Sequence, residues 1–228
     1  MNRLAGRMEK RVTFAGNSPI TQNAAAEDSQ ADEKIFLLSP ANLKGVRGQR
    51  MLNSNIKSAL GDRLRAEGAC LAELFCHTSS LYFRGKLAYA RFFARPPSGL
   101  EGSFIITSSK GLLAPDTVVD IATAKELASG AEIDLEDDRY RIPLRRDAEA
   151  LQKALPEGCQ VVLLGSVATE KYVTPLKESF GRRLLFPSAF LGRGDMSRGA
   201  LLLRCVRENR ELTYSPAEMK GREGRRRS

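Results

Sequence analysis

The chain has 228 residues, 42% of them hydrophobic and 28% charged, ordinary globular proportions that exclude a collagen-like or wholly disordered protein. No apolar run approaches the roughly 20 residues that span a bilayer, and a chain of this length buries a core without help from disulfides or a metal. Lys and Arg number 36 against 27 Asp and Glu, and the formal charge of +9 favours an anionic partner: nucleic acid or a phosphorylated small molecule.

The charge is unevenly distributed. Residues 220–228 carry five basic residues and one acid, so +4 of the total belongs to what reads as a basic disordered tail. Within the body, residues 182–210 hold seven arginines against Asp195 and Glu208, whereas residues 116–138 hold eight acids against Lys125. The surface is expected to be electrically two-faced. Cys70, Cys76, Cys159 and Cys205 form no CxxC pair and read as free thiols, and His77 is the single histidine. That set completes neither an ordinary zinc site nor, without a GxSxG elbow, a serine-hydrolase triad; no metal and no cofactor are expected.

Residues 1–33 are polar and lack the apolar core of a secretory signal, which reads as a disordered arm on a cytoplasmic protein with no membrane segment. Residues 34–219 read as one α/β domain with a mostly parallel central sheet flanked by helices. A short apolar run over 34–38, ended by Ser39 and Pro40, predicts the first buried strand. Residues 42–50, broken by Gly45 and Gly48, read as a basic loop, and 53–66 as a helix. The spacing of Phe83, Leu87, Ala90 and Ala94 predicts a core-facing helix over 79–95, with Arg84, Arg91 and Arg95 on a neighbouring face beside Tyr82, Lys86, Tyr89 and Phe93.

Pro96 and Pro97 end that helix, and Ser103–Ile106 continuing to Thr107 predicts the second strand. A turn at Pro115 and Asp116 follows. Residues 143–155 read as a helix with Pro143 in its first turn, Gln160–Leu164 as the third strand, and 168–180 as a helix with Pro175 at an end or a kink. Residues 183–186 predict a fourth strand, 187–199 a loop, and 200–206 an apolar close.

In an open α/β sheet, ligands bind beyond the carboxyl ends of the strands. Three such ends are small and polar here: Ser39 with Pro40, residues 107–111, and Gly165 with Ser166. Small residues let backbone amides approach an anion, and Lys110 adds charge, although the frame of a P-loop is missing. The loop at 190–199 sets three glycines beside Arg193, Asp195 and Arg198, two guanidiniums suited to a phosphate or carboxylate and a carboxylate able to orient one of them. Its Gly192 and Gly194 lack the third glycine of a dinucleotide fingerprint, since Ser197 stands there. Asp116 in its turn caps the chain locally or acts as a carboxylate near a ligand.

Residues 81–94 and 104–119 resemble the YaaA-like family of bacterial proteins, in which a tyrosine and a basic residue open a helix and a strand ends in Ser-x-[KR]-Gly-Leu before a Pro-Asp turn. The match falls on Tyr82, Arg84, Ser108, Lys110, Gly111, Leu112, Pro115, Asp116 and Thr117, and extends loosely to 161–172. The resemblance implies an α/β fold distantly similar to that of the uracil-DNA glycosylases, and an association with DNA binding and peroxide stress.

Three functions follow in order. A nucleic-acid or nucleotide-binding protein would use Arg84, Lys86, Arg91, Arg193, Asp195 and Arg198 around the ligand, with Tyr82 or Tyr89 stacking on a base. An enzyme acting at the glycosidic bond of a nucleoside or modified base would use Asp116, Ser109 and Lys110 as its catalytic group. A protein-docking adaptor would use the divided surface instead.

Overall fold

The computed structural model describes residues 33–79, 81–130, 132–166 and 170–217; the expected tail at 220–228 and all of the expected arm except Glu33 lie outside them. The fold is α/β. Along the chain run β1 (Lys34–Leu38), α1 (Val46–Leu52), α2 (Ala59–Ala66), β2 (Ala69–Cys70), α3 (Leu71–Thr78), α4 (Tyr82–Phe93), β3 (Ser103–Ile106), β4 (Leu112–Leu113), β5 (Val118–Val119) and α5 (Ile121–Ser129). There follow α6 (Asp138–Ala154), β6 (Gln160–Leu164), α7 (Glu170–Phe180), β7 (Leu184–Pro187), α8 (Asp195–Arg207) and β8 (Tyr214–Pro216).

The main sheet has the order β4-β3-β1-β6-β7-β8. Its four inner strands are parallel, and β4 and β8 close the edges antiparallel to β3 and β7. The two central strands are apolar along nearly their whole length because both faces are covered. Successive side chains alternate between layers: Phe36 and Leu38 join a core with α1 to α5 and α8, while Ile35 and Leu37 join one with α6 and α7. Val162 and Leu164, against Val161 and Leu163, repeat the alternation on β6.

The chain leaves β1 toward the α1–α4 layer but leaves its neighbour β6 toward α7, in the other layer. Adjacent parallel strands whose connections diverge to opposite faces open a crevice at their carboxyl ends, the usual ligand site of such sheets.

Several elements differ from the sequence reading, each for a local reason. Residues 46–52 are helical rather than looped, because Gly48 is buried against Leu43, where an added β-carbon would meet the Leu43 carbonyl oxygen at 2.0 Å. The next helix starts at Ala59, capped by Ser58, whose Oγ accepts from the Gly61 amide at 3.2 Å. Asp137 caps α6, which begins at Asp138, five residues before Pro143, and the added turn buries Tyr140 completely; Pro143 and Pro175 both lie inside their helices. The segment 187–199 is not a continuous loop, since α8 begins at Asp195. The short β2 and β5, which pair with each other, and the edges β4 and β8 carry too few residues to show a period.

No helix among the described residues is long and apolar enough to cross a membrane. The four cysteines are free, Cys159 and Cys205 buried and Cys70 and Cys76 half-buried.

Candidate functional site

Ser39 stands immediately beyond β1, where its amide donates to the Leu164 carbonyl at 3.2 Å and its Oγ to the same oxygen at 3.3 Å. Gly165 makes room for it: a β-carbon there would lie 3.0 Å from Ser39 Cβ and 3.2 Å from Oγ. From α4, Lys86 reaches under the same strand end and donates to the Ser39 carbonyl at 2.5 Å and to Ser39 Oγ at 2.8 Å. Its Nζ sits 4.4 Å from the Tyr82 ring centroid and 5.1 Å from that of Phe83. With 1% of its surface exposed, Lys86 makes no ion pair among the described residues. Burial pushes its pKa down to about 7; nearby Asp195 opposes that shift and Arg198 reinforces it.

Two glycines bring α8 over this group. Gly85 on α4 and Gly199 on α8 face each other, and a β-carbon on Gly199 would stand 2.8 Å from Tyr82 Cα. The close crossing sets Arg198 beside Tyr82 and leaves Asp195 at the mouth. Arg198 donates through Nε and Nη2 to the Phe190 carbonyl, both at 3.2 Å, and its Nη1 lies 3.6 Å from Asp195 Oδ1.

The Tyr82 hydroxyl is buried without a hydrogen-bond partner of ordinary geometry. Burial pushes its pKa up to about 12, against the pull of the Arg198 charge. Tyr172 on α7 is likewise raised to about 12, by burial first and then by Tyr82 and Asp195. Both tyrosines are neutral donors at physiological pH.

These groups border a cleft of about 540 Å³ at the carboxyl ends of β1 and β6, lined by Ser39 to Asn42, Gly45 to Arg47, Thr78, Ser79, Tyr82, Ser166, Lys171, Tyr172 and Asp195. A second cleft of about 380 Å³ shares Pro40, Ala41, Asn42, Lys171 and Tyr172 with it and extends toward Lys44, Ser108 and Glu132. Each falls within the size range of small-molecule sites. Arg47 and Lys171 bring positive charge, and Asp195 supplies a carboxylate. Among the described residues no group of three or more His, Cys, Asp or Glu comes together to hold a metal ion.

The chain matches no protein-family model, no curated protein and no solved structure.

Of the residues singled out from sequence, Tyr82 and Asp195 line the larger cleft, with Lys86 and Arg198 against its wall. The others stand elsewhere. Arg193 is exposed and donates to Ser197 Oγ at 3.0 Å. Arg84 is exposed beside Cys76 and His77 in a separate depression. Arg91 pairs with Asp116 at 2.6 Å, both exposed, in a third. Ser109 donates to Glu126 at 3.2 Å, and Lys110 pairs with the same carboxylate at 2.7 Å. Asp116, Ser109 and Lys110 therefore do not share the cleft, and the carboxylate that faces it is Asp195.

The expected face of cations beside exposed rings on α4 takes a different form. Tyr82, Lys86, Tyr89 and Phe93 are buried, because β1, β8 and α8 pack against α4, and the exposed ring of this helix is Phe92, next to Arg91 in the chain. Sequence reasoning noted Ser39 and Ser166 as polar strand ends but missed Arg47, Lys171, Tyr172 and the Ser39–Lys86 contact. One signal was available: Lys86 falls four residues after Tyr82 and three before Tyr89, on an aromatic stripe, and a lysine there is bound inward.

Proposed function

We propose that the protein binds a phosphate-bearing nucleotide, free or presented by a nucleic-acid strand, in the cleft beyond β1 and β6. The observation that carries this reading is the Tyr82 hydroxyl, buried in the cleft wall beside the Arg198 guanidinium with no hydrogen-bond partner of ordinary geometry. Leaving such a group unsatisfied costs about 1–3 kcal/mol, which a ligand acceptor recovers. Arg47 and Lys171 on the same cleft give an anion its charge complement, and the divergence of the chain from β1 and β6 puts the site where sheets of this kind take nucleotides. Tyr82 is also one of the residues on which the YaaA-like resemblance rests, which favours a nucleotide over other phosphates.

The test is a melting series with nucleosides and their mono-, di- and triphosphates. A ligand at a hundred times its Kd stabilises the folded state by about 2.7 kcal/mol, and the phosphorylated compounds are expected to raise Tm where the nucleosides do not. Tyr82→Phe should weaken the best ligand about tenfold, the equivalent of one hydrogen bond of about 1.4 kcal/mol. No shift with any phosphate, or unchanged affinity in Tyr82→Phe, contradicts the reading.

A further inference from the structure

Beyond nucleotide binding, the floor of the cleft has the makings of a reaction. Ser39 Oγ and Lys86 Nζ are 2.8 Å apart, both residues are buried, and Ser39 borders the cleft. We propose that Ser39 is a nucleophile activated by Lys86, and that the cleft hydrolyses a carboxylic ester carried by a phosphate-bearing substrate; the phosphate half of this statement rests on the function proposed above.

The hydrogen bonds around the pair serve both of its proton states. When Lys86 is an ammonium, it donates to the Ser39 carbonyl and to Oγ, and the hydroxyl proton turns to the Leu164 carbonyl, 3.3 Å away. When Lys86 is an amine, one N–H still satisfies the Ser39 carbonyl, and the lone pair accepts the proton of Oγ. A lysine that served only to tie down the strand end would need the first state alone.

The surroundings favour the second. Tyr82 and Phe83 from α4 enclose Nζ, Ser39 meets it from the β1 end, and Asp195 and Arg198 act on it from α8. Asp195 favours the ammonium; burial and Arg198 oppose it, and the pKa falls to about 7. An amine base poised near neutral pH is what activation of a hydroxyl requires.

The electrophile follows from the placement of charge. Lys86, the side chain in contact with Ser39 Oγ, is an uncharged amine when it acts as the base. A transferring phosphoryl group needs cations on its own oxygens, so the reacting centre at Ser39 is an uncharged carbonyl and the phosphate lies farther along the cleft.

In the step, the Lys86 amine takes the Ser39 hydroxyl proton as Oγ bonds to the ester carbonyl carbon. The tetrahedral adduct collapses, the carbon–oxygen bond to the alcohol breaks, and the alcohol leaves with the proton from Lys86. Water then attacks the acylated Ser39 with Lys86 again taking a proton. The acid is released, and Lys86 returns the proton to Ser39 Oγ. The balance is ester plus water to acid plus alcohol.

An alkyl fluorophosphonate tests the nucleophile directly, since Oγ displaces fluoride from phosphorus and leaves a stable adduct. The full chain is treated with the probe across pH 5 to 10 and mapped by mass spectrometry. One adduct on Ser39 is expected, its rate climbing as pH rises through about 7, with none in Ser39→Ala and at least a tenfold slower rate in Lys86→Arg. A folded wild-type protein that stays unmodified at Ser39, or a rate that is flat with pH, overturns the proposal. So does Lys86→Arg labelled as fast as wild type; the wild-type pH profile decides the matter should that variant not fold. Nucleotide melting shifts on the same preparation separate the two readings: labelling without a shift removes the phosphate ligand and keeps the dyad, and a shift without labelling does the reverse.

Discussion

Gly85 and Gly199 touch at the crossing of α4 and α8, where a β-carbon on Gly85 would lie 2.8 Å from the Gly199 carbonyl oxygen. The contact is with backbone, which cannot swing aside as a long side chain does. It decides how near Arg198 and Asp195 come to Tyr82 and Lys86, and so it shapes the cleft from outside. Gly199→Ala is expected to lower stability by about 1–3 kcal/mol, the usual cost of overpacking, and to shrink the nucleotide-induced Tm shift. Urea denaturation with and without nucleotide measures both; a variant with unchanged midpoint and shift would mean that the helices do not depend on this contact.

Lys86 makes stability depend on pH with a definite sign. Its pKa is about 7 in the fold against an ordinary value of 10.5, so between those values the unfolded chain binds a proton that the folded chain does not. The destabilisation from burying the ammonium is complete below pH 7 and disappears as pH rises toward 10.5. The stability of wild type relative to Lys86→Met should therefore climb between pH 7 and 10, by a few kcal/mol in order of magnitude. Chemical denaturation of both proteins at pH 6, 8 and 10 gives the difference; a constant difference argues that Lys86 keeps its proton throughout.

At the opposite end of β1, Lys34 is paired with Glu211 in a polar chain that ties the final strand to the sheet. The Leu212 amide donates to the Tyr89 hydroxyl at 2.8 Å, Tyr89 to Tyr214 at 2.8 Å, and Tyr214 to Glu211 at 2.8 Å. Burial, followed by Tyr89 and Glu211, raises the Tyr214 pKa, which keeps it a donor. Glu211→Leu strands the Lys34 ammonium, with 5% of its side chain exposed, and should cost about 3–5 kcal/mol, against about 1–2 for Glu211→Gln, which still accepts hydrogen bonds. Equal losses in the two variants would show that the carboxylate's charge, and not the hydrogen bonds that Gln retains, is what matters there.

Asp116 offers the contrast. Its pair with Arg91 is exposed on both sides, and exposed pairs contribute about 0–1 kcal/mol. Asp116→Asn is expected to leave Tm and nucleotide affinity within error of wild type. A large loss of affinity would bring the depression around Asp116 and Arg91 into the ligand site.

The sheet was legible because its central strands are buried on both faces: the apolar runs at 34–38 and 160–164 have no other use in a chain of this composition. Ser39 and Ser166 were legible as strand ends for the same reason. The site as an assembly was not. Lys86 and Asp195 are 109 positions apart, and what unites them is the Gly85–Gly199 crossing, which leaves no periodic trace. Exposed charge misled in the opposite direction. Lys110 and Arg91 read as ligand cations, yet each is matched by a carboxylate, Glu126 or Asp116, that only the fold brings near.

The most direct test of the cleft is photoaffinity labelling of the full chain with an azido-nucleotide, followed by peptide mapping with and without unmodified competitor. Competed adducts are expected at residues 39–47, at Lys171 and Tyr172, and at Asp195, with labelling reduced in Tyr82→Phe. Competed adducts confined to the Arg84 and Arg91 face or to Arg193, or no competed adduct at all, would contradict a nucleotide site beyond β1 and β6.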